Sequence, residues 1–85
     1  MSWEVIVDPD ARKQLKRIPR RDRERIRAAL REFAANPYAG DIRKIEGEED
    51  AWRRRIGAYR MLYEVRVKAK VVYVFNIRRR TSSSY

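Results

Sequence analysis

The stretch Trp52-Arg53-Arg54-Arg55-Ile56-Gly57-Ala58-Tyr59-Arg60-Met61-Leu62-Tyr63-Glu64-Val65 decides the fold. Two strand-like runs meet at Gly57-Ala58, a two-residue loop. Gly at the first loop position suits a type II′ turn, whose twist matches that of the flanking strands. This register sets Ile56 opposite Tyr59, Arg55 opposite Arg60, Arg53 opposite Leu62 and Trp52 opposite Tyr63. Side chains alternate across a strand, so Arg53, Arg55 and Arg60 share one face of the sheet. Like charges directly opposite each other are destabilising, so a chain that keeps this pairing points to a bound polyanion. Trp52 and Tyr63 read as a cross-strand core pair.

Upstream of the hairpin, Trp3-Glu4-Val5-Ile6-Val7 is strand-like. Asp8-Pro9 stops it and starts a helix, with Asp as cap and Pro in the first helical position. Ala11, Leu15 and Ile18 give that helix one apolar face, and Pro19 ends it. A second helix runs from about Arg20 to Ala35, with Ile26, Ala29, Leu30, Phe33 and Ala34 as its core stripe. Its arginines, Arg21, Arg23, Arg25, Arg27 and Arg31, read as a solvated face paired with Asp22, Glu24 and Glu32 at helical spacings. Asn36-Pro37 closes the helix.

Tyr38 to Asp50 is a connector, in which Ile42 and Ile45 either form a short strand or anchor the loop. Strands follow at Ala51 to Ile56, Tyr59 to Val67 and Val71 to Ile77, with Lys68-Ala69-Lys70 as the second hairpin connection. The predicted fold class is α+β, in the order β-α-α-β-β-β, with two N-terminal helices on one face of a small, mostly antiparallel sheet. Tyr59, Met61, Tyr63 and Val65 meet the helices, joined by Val71, Tyr73, Phe75 and Ile77 or by their alternates. Both parities of the last strand are apolar, which predicts a central strand buried on both faces. Residues 1–85 are expected to make one domain, with 81–85 a polar tail that is mobile unless docked.

The chain carries 22 Lys+Arg against 12 Asp+Glu, a net charge of +10 on 85 residues. Nucleic acid or a strongly acidic protein is the expected counterpart. There is no Cys and no His. Disulfides, thiolate chemistry, the usual zinc sites and His-based acid–base catalysis are therefore excluded. No cofactor or metal is expected. The start of the sequence lacks a basic region followed by a long apolar one, and the apolar run Val71 to Phe75 is too short to span a bilayer. These features predict a cytoplasmic protein with no membrane partner.

The pattern Trp-Arg-x-Arg-Ile-Gly-x-Tyr-Arg-x-Leu-Tyr-Glu-Val, followed by an apolar strand, an arginine cluster and a terminal Tyr, resembles the RelE/ParE superfamily of toxins from type II toxin–antitoxin systems. Val7-Asp8-Pro9 before the helices and Asn36-Pro37 after them add to the likeness, which covers almost the whole chain. It implies a RelE-like fold of the microbial RNase type. It also implies a ribosome-dependent, metal-independent mRNA endoribonuclease that cuts in the A site by attack of a 2′-hydroxyl and so inhibits translation.

On this resemblance Arg53 and Arg55 match the strand residues that bind RNA. Arg60 matches the arginine after the hairpin tyrosine, and Arg80 the arginine after the last strand, with Arg79 the alternative by a one-residue shift. Tyr85 resembles the C-terminal tyrosine. The implied catalytic set is Arg60, Arg80, Arg55 and Tyr85, and the implied RNA-binding set Arg53, Arg55 and Arg79. The family often has a Lys base where this chain has Arg55, and guanidinium is a poor proton acceptor near neutral pH. Glu46 is then the candidate general base, its alternative role being a loop charge paired with an arginine. Arg54, with the parity of Trp52 and Ile56, either snorkels along the core edge or contacts the antitoxin. The implied partners are a cognate acidic, RelB-like antitoxin, the ribosome with its mRNA, and operator DNA only through the antitoxin complex. A ParE-like inhibitor of DNA gyrase without nuclease activity is the competing reading.

Overall fold

The structure, a computed structural model, describes residues 2–79. Its elements are β1 (Glu4–Val7), α1 (Pro9–Lys16), α2 (Arg20–Ala35), β2 (Ile42–Lys44), β3 (Ala51–Ile56), β4 (Tyr59–Arg66) and β5 (Val71–Arg79). The strands form one sheet in the order β1-β5-β4-β3-β2. β1 runs parallel to β5 and the other neighbours are antiparallel. The expected α+β class and helix order hold, and the connector contributes β2 as an additional edge strand. No helix among the described residues is long and apolar enough to cross a membrane.

Local chemistry sets the helix ends. The Asp8 carboxylate accepts the Ala11 N–H at 2.8 Å, and Pro9 needs no intrahelical donor there. Asn36 donates its N–H to Glu32 O at 2.8 Å, and its side-chain oxygen accepts the Tyr38 N–H at 3.0 Å, so the chain leaves α2 in a fixed direction. The expected ion pairing along α2 is sparse. Among the described residues only Arg27–Glu24, at 3.7 Å, pairs within the helix, and Glu32 turns instead to Arg54 on β3.

The core lies between the helices and one face of the sheet. Ala11, Leu15 and Ile18 from the first helical segment and Ile26, Ala29 and Phe33 from α2 meet Tyr59, Met61, Tyr63 and Val65 of β4. From β5 come Val72, Val74 and Ile77, which alternation alone cannot put on one face. A β-bulge reconciles them: Leu62 pairs with Asn76 but Tyr63 pairs with Val74, leaving Phe75 as the extra residue. Without it, Asn76 and Arg78 would point into the core and Ile77 out of it. β5 is internal, as expected, but its second face is only half-buried, since both helices lie on the other side.

Trp52 pairs with Tyr63 as expected. Tyr63 is fully buried beside Phe33, ring centroids 4.4 Å apart, and its hydroxyl donates to Pro37 O at 2.8 Å. That bond ties the centre of the sheet to the start of the connector. Burial pushes the Tyr63 hydroxyl well above the usual tyrosine range, against a smaller lowering influence of Arg54, so it remains a donor. Arg54 does lie along the core edge. Its side chain is 13% exposed, reaches Glu32 at 2.7 Å and stacks 5.7 Å from the centre of the Phe33 ring.

Candidate functional site

The hairpin has the register read from its sequence: Arg53 opposite Leu62, Arg55 opposite Arg60 and Ile56 opposite Tyr59. Gly57 supplies the left-handed backbone the turn requires, at φ 57°, and Ala58 stays at negative φ, as a type II′ turn demands. Arg53, Arg55 and Arg60 therefore stand on the face of the sheet opposite the helices.

Two further arginines join them. β2 pairs Arg43 with Arg53, and β4 pairs Arg60 with Arg78. Arg55, Arg60 and Arg78 form one row across three strands, with Arg43 and Arg53 as a second pair. Three cross-strand pairs thus set arginine opposite arginine, a pairing of like charges that by itself is destabilising. Arg43, Arg53, Arg55 and Arg60, with Asp41, line a concavity of about 300 Å³. Four positive groups and one negative one leave it with a net charge of +3 (4 − 1). Among the described residues, no carboxylate lies within ion-pair distance of Arg43, Arg53, Arg55 or Arg78. The far end of the same face has the opposite sign, where Glu48, Glu49, Asp50, Glu64 and Arg66 surround a second hollow. An anion is therefore drawn to one end of the sheet and repelled from the other.

Asp41 owes its position to the backbone: the Arg55 N–H donates to Asp41 O at 3.0 Å, extending the β2–β3 ladder by one step. The preceding residue, Gly40, has φ 88°, and a Cβ there would lie 2.5 Å from the Arg54 guanidinium carbon. The largely covered Arg54 and the Tyr63–Pro37 bond thus fix the path of the chain into the concavity from behind. Guanidiniums fixed on a rigid sheet can bind phosphate in a bidentate way and stabilise charge that develops on its oxygens.

The structure brings together Arg53, Arg55 and Arg60 of the expected residues. Arg79 goes elsewhere: it pairs with Tyr59, on the helix-bearing side, and the bulge puts Arg78 in the row instead. Glu46 is exposed in the turn after β2, beside the Ala51 end of β3. Four strand residues, roughly 13 Å, separate that end from Arg55, and Glu46 does not line the concavity. Arg80 and Tyr85 lie outside the described residues. The sequence reading missed Asp41, Arg43 and Arg78. Asp41 and Arg43 sit in a connector with no clear periodicity, and Arg78 needs the bulge, which the two-sided apolar character of β5 conceals.

Comparison with known proteins identifies the family and the fold. The family described as the ParE toxin of type II toxin–antitoxin systems, parDE, matches residues 5–83. The chain belongs to this toxin family, within the RelE/ParE superfamily that its hairpin resembles. No curated protein sequence matches it. Among solved structures it is similar to the archaeal RelE–RelB complex from Pyrococcus horikoshii OT3, at 26% identity over 96% of this chain and 99% of that one, with a TM-score of 0.85. It is also similar to the toxin–antitoxin complex RelBE2 from Mycobacterium tuberculosis, at 26% identity over 94% and 100% of the two chains, with a TM-score of 0.70. The isolated E. coli RelE toxin shares the fold at 22% identity, over 98% and 89% of the two chains, with a TM-score of 0.85.

Proposed function

We propose that this toxin is a ribosome-dependent, metal-independent mRNA endoribonuclease, acting in the cytoplasm on the message in the ribosomal A site. The observation that carries this reading is the row Arg55–Arg60–Arg78 with Arg43 and Arg53 beside it, arginines paired with arginines on one face of the sheet, of which Arg43, Arg53, Arg55 and Arg60 line one concavity. Such a set is stabilised by a phosphodiester that threads between its members.

In the proposed reaction the RNA 2′-oxygen attacks the adjacent phosphorus and the bond to the 5′-oxygen breaks. The products are a 2′,3′-cyclic phosphate and a 5′-hydroxyl, the latter taking its proton from water. Arg60, with Arg55 and Arg78 on either side, stabilises the charge on the non-bridging oxygens. Arg53 and Arg43 hold the backbone on the flank. Arg80 and Tyr85 keep the roles the resemblance implies, the arginine on the scissile phosphate and the tyrosine stacked on an unpaired base. The 2′-hydroxyl proton goes to Asp41, the carboxylate that lines the concavity, rather than to Glu46. A cognate acidic antitoxin covers the same basic face, and operator DNA is reached only through that complex.

The second reading is gyrase inhibition without cleavage, favoured by the match to the ParE toxin family and by Arg55 where a lysine base is expected. Induced expression followed by mapping of mRNA 5′ ends separates the two. Codon-phased cuts within translated messages support the nuclease; intact messages with gyrase-linked DNA damage support the inhibitor.

A further inference from the structure

A second pair of like charges stands on the other side of the same hairpin. Arg21 and Arg25, four residues apart, share one flank of α2, where like charges at this spacing repel. Among the described residues neither forms an ion pair. The flank is located by two contacts. Glu32 meets Arg54 on β3, and the Arg25 guanidinium lies against the hairpin loop, 2.9 Å from where a Cβ on Gly57 would sit. Seven helical residues from Arg25 to Glu32 rise about 10.5 Å, and three strand residues from Arg54 to Gly57 rise about 10 Å. Helix and strand therefore run side by side in opposite senses. Arg21, one turn beyond Arg25, projects past the tip of the hairpin. Gly57 is only two residues, about 7 Å of strand, from Arg55.

The Arg21/Arg25 and Arg55/Arg60 pairs thus flank one narrow turn, the first on the helical side and the second on the open face. The Arg21/Arg25 pair is unfavourable for the isolated protein, and a single polyanion bent around the turn from the concavity relieves it. We propose that Arg21 and Arg25 form a second phosphate-binding patch, which holds the backbone of unpaired RNA where it leaves the concavity and wraps the Gly57-Ala58 turn. The proposal rests on RNA being the ligand of the concavity, and it adds a binding surface remote from bond cleavage.

The test uses the full chain, a fluorescein-labelled 15-nucleotide RNA with 2′-O-methyl groups that prevent cleavage, and an R21Q/R25Q variant. Gln keeps helix propensity close to that of Arg, and removing the repulsion leaves the melting temperature unchanged or raised. For single strands, each phosphate contact contributes about 0.7 to the slope of log K against log salt. The variant's slope is expected to be shallower by about 1.4, with weaker binding at low salt. An unchanged slope and affinity overturn the proposal. So does an unchanged RNA slope with lost binding of poly-glutamate, which assigns the patch to an acidic protein partner. A wild-type chain that shows the slope difference but never cleaves message contradicts the nuclease reading and leaves the patch standing.

Discussion

Replacing the largely covered Arg54 by Met is expected to leave the protein as stable as before, or more so. Arg54 makes one ion pair, Nη2 to Glu32 Oε1 at 2.7 Å, and its partner is 55% exposed. A pair with so exposed a member is worth up to about 1 kcal/mol. The stacking on Phe33 adds about 1 kcal/mol. Against this, Nε and Nη1 are buried without a hydrogen-bond partner among the described residues, and each such group costs about 1–3 kcal/mol. Met fills the same unbranched path along Phe33 and carries no polar hydrogen.

The balance for Arg54→Met lies between zero and about 4 kcal/mol of stabilisation, in line with what apolar replacement of buried ion pairs does elsewhere. In a domain of this size 1 kcal/mol moves the melting temperature by about 4–8 °C. Glu32→Ala is the paired perturbation. It strands the guanidinium and is expected to cost about 1–3 kcal/mol. Urea unfolding of both variants measures the two changes. A loss above 2 kcal/mol for Arg54→Met, or a larger loss than for Glu32→Ala, refutes the reasoning and makes the guanidinium a net stabiliser of the core.

Other expectations follow from the same contacts. Tyr63→Phe removes the 2.8 Å bond to Pro37 O and leaves that carbonyl unpaired, a loss of about 1–3 kcal/mol by urea unfolding. Because burial raises the Tyr63 pKa in the fold, the unfolded chain loses this proton first as the pH rises. Stability is then fully present below about pH 10 and falls above it by about 1.4 kcal/mol per pH unit for this group; Tyr63→Phe should flatten that decline in alkaline melts. Asp41→Asn is expected to reduce single-turnover cleavage about 10²-fold or more, whereas Glu46→Gln leaves the rate unchanged. Equal losses in the two variants contradict the assignment of the proton acceptor.

The parts of the fold legible in the sequence were those fixed by short-range rules. Gly57-Ala58 sets the hairpin register residue by residue, and Asp8-Pro9 and Asn36-Pro37 bracket the helical layer through capping and the absence of a proline donor. Position is harder to read where it depends on distant pairing. The bulge at Phe75 exchanges the faces of β5, and two apolar parities leave no trace of it in the sequence, so alternation does not reveal that Arg78 shares the face of Arg60. Asp41 and Glu46 are five residues apart in one connector. Only the β2–β3 ladder decides which of them stands beside Arg55. The helix arginines looked paired because spacing permits pairing, but Glu32 is drawn away by the positive charge on β3.

The central claim is that guanidiniums from neighbouring strands hold one RNA linkage as it breaks. Single-turnover cleavage of ribosome-bound message by the wild type, Arg55→Ala and Arg60→Ala tests it most directly, with unchanged melting temperatures as the control for folding. The account predicts a 2′,3′-cyclic phosphate product from the wild type and rates lower by about 10²–10³ in each variant. Wild-type rates in both variants, or no cleavage by the wild type on translating ribosomes, contradict it.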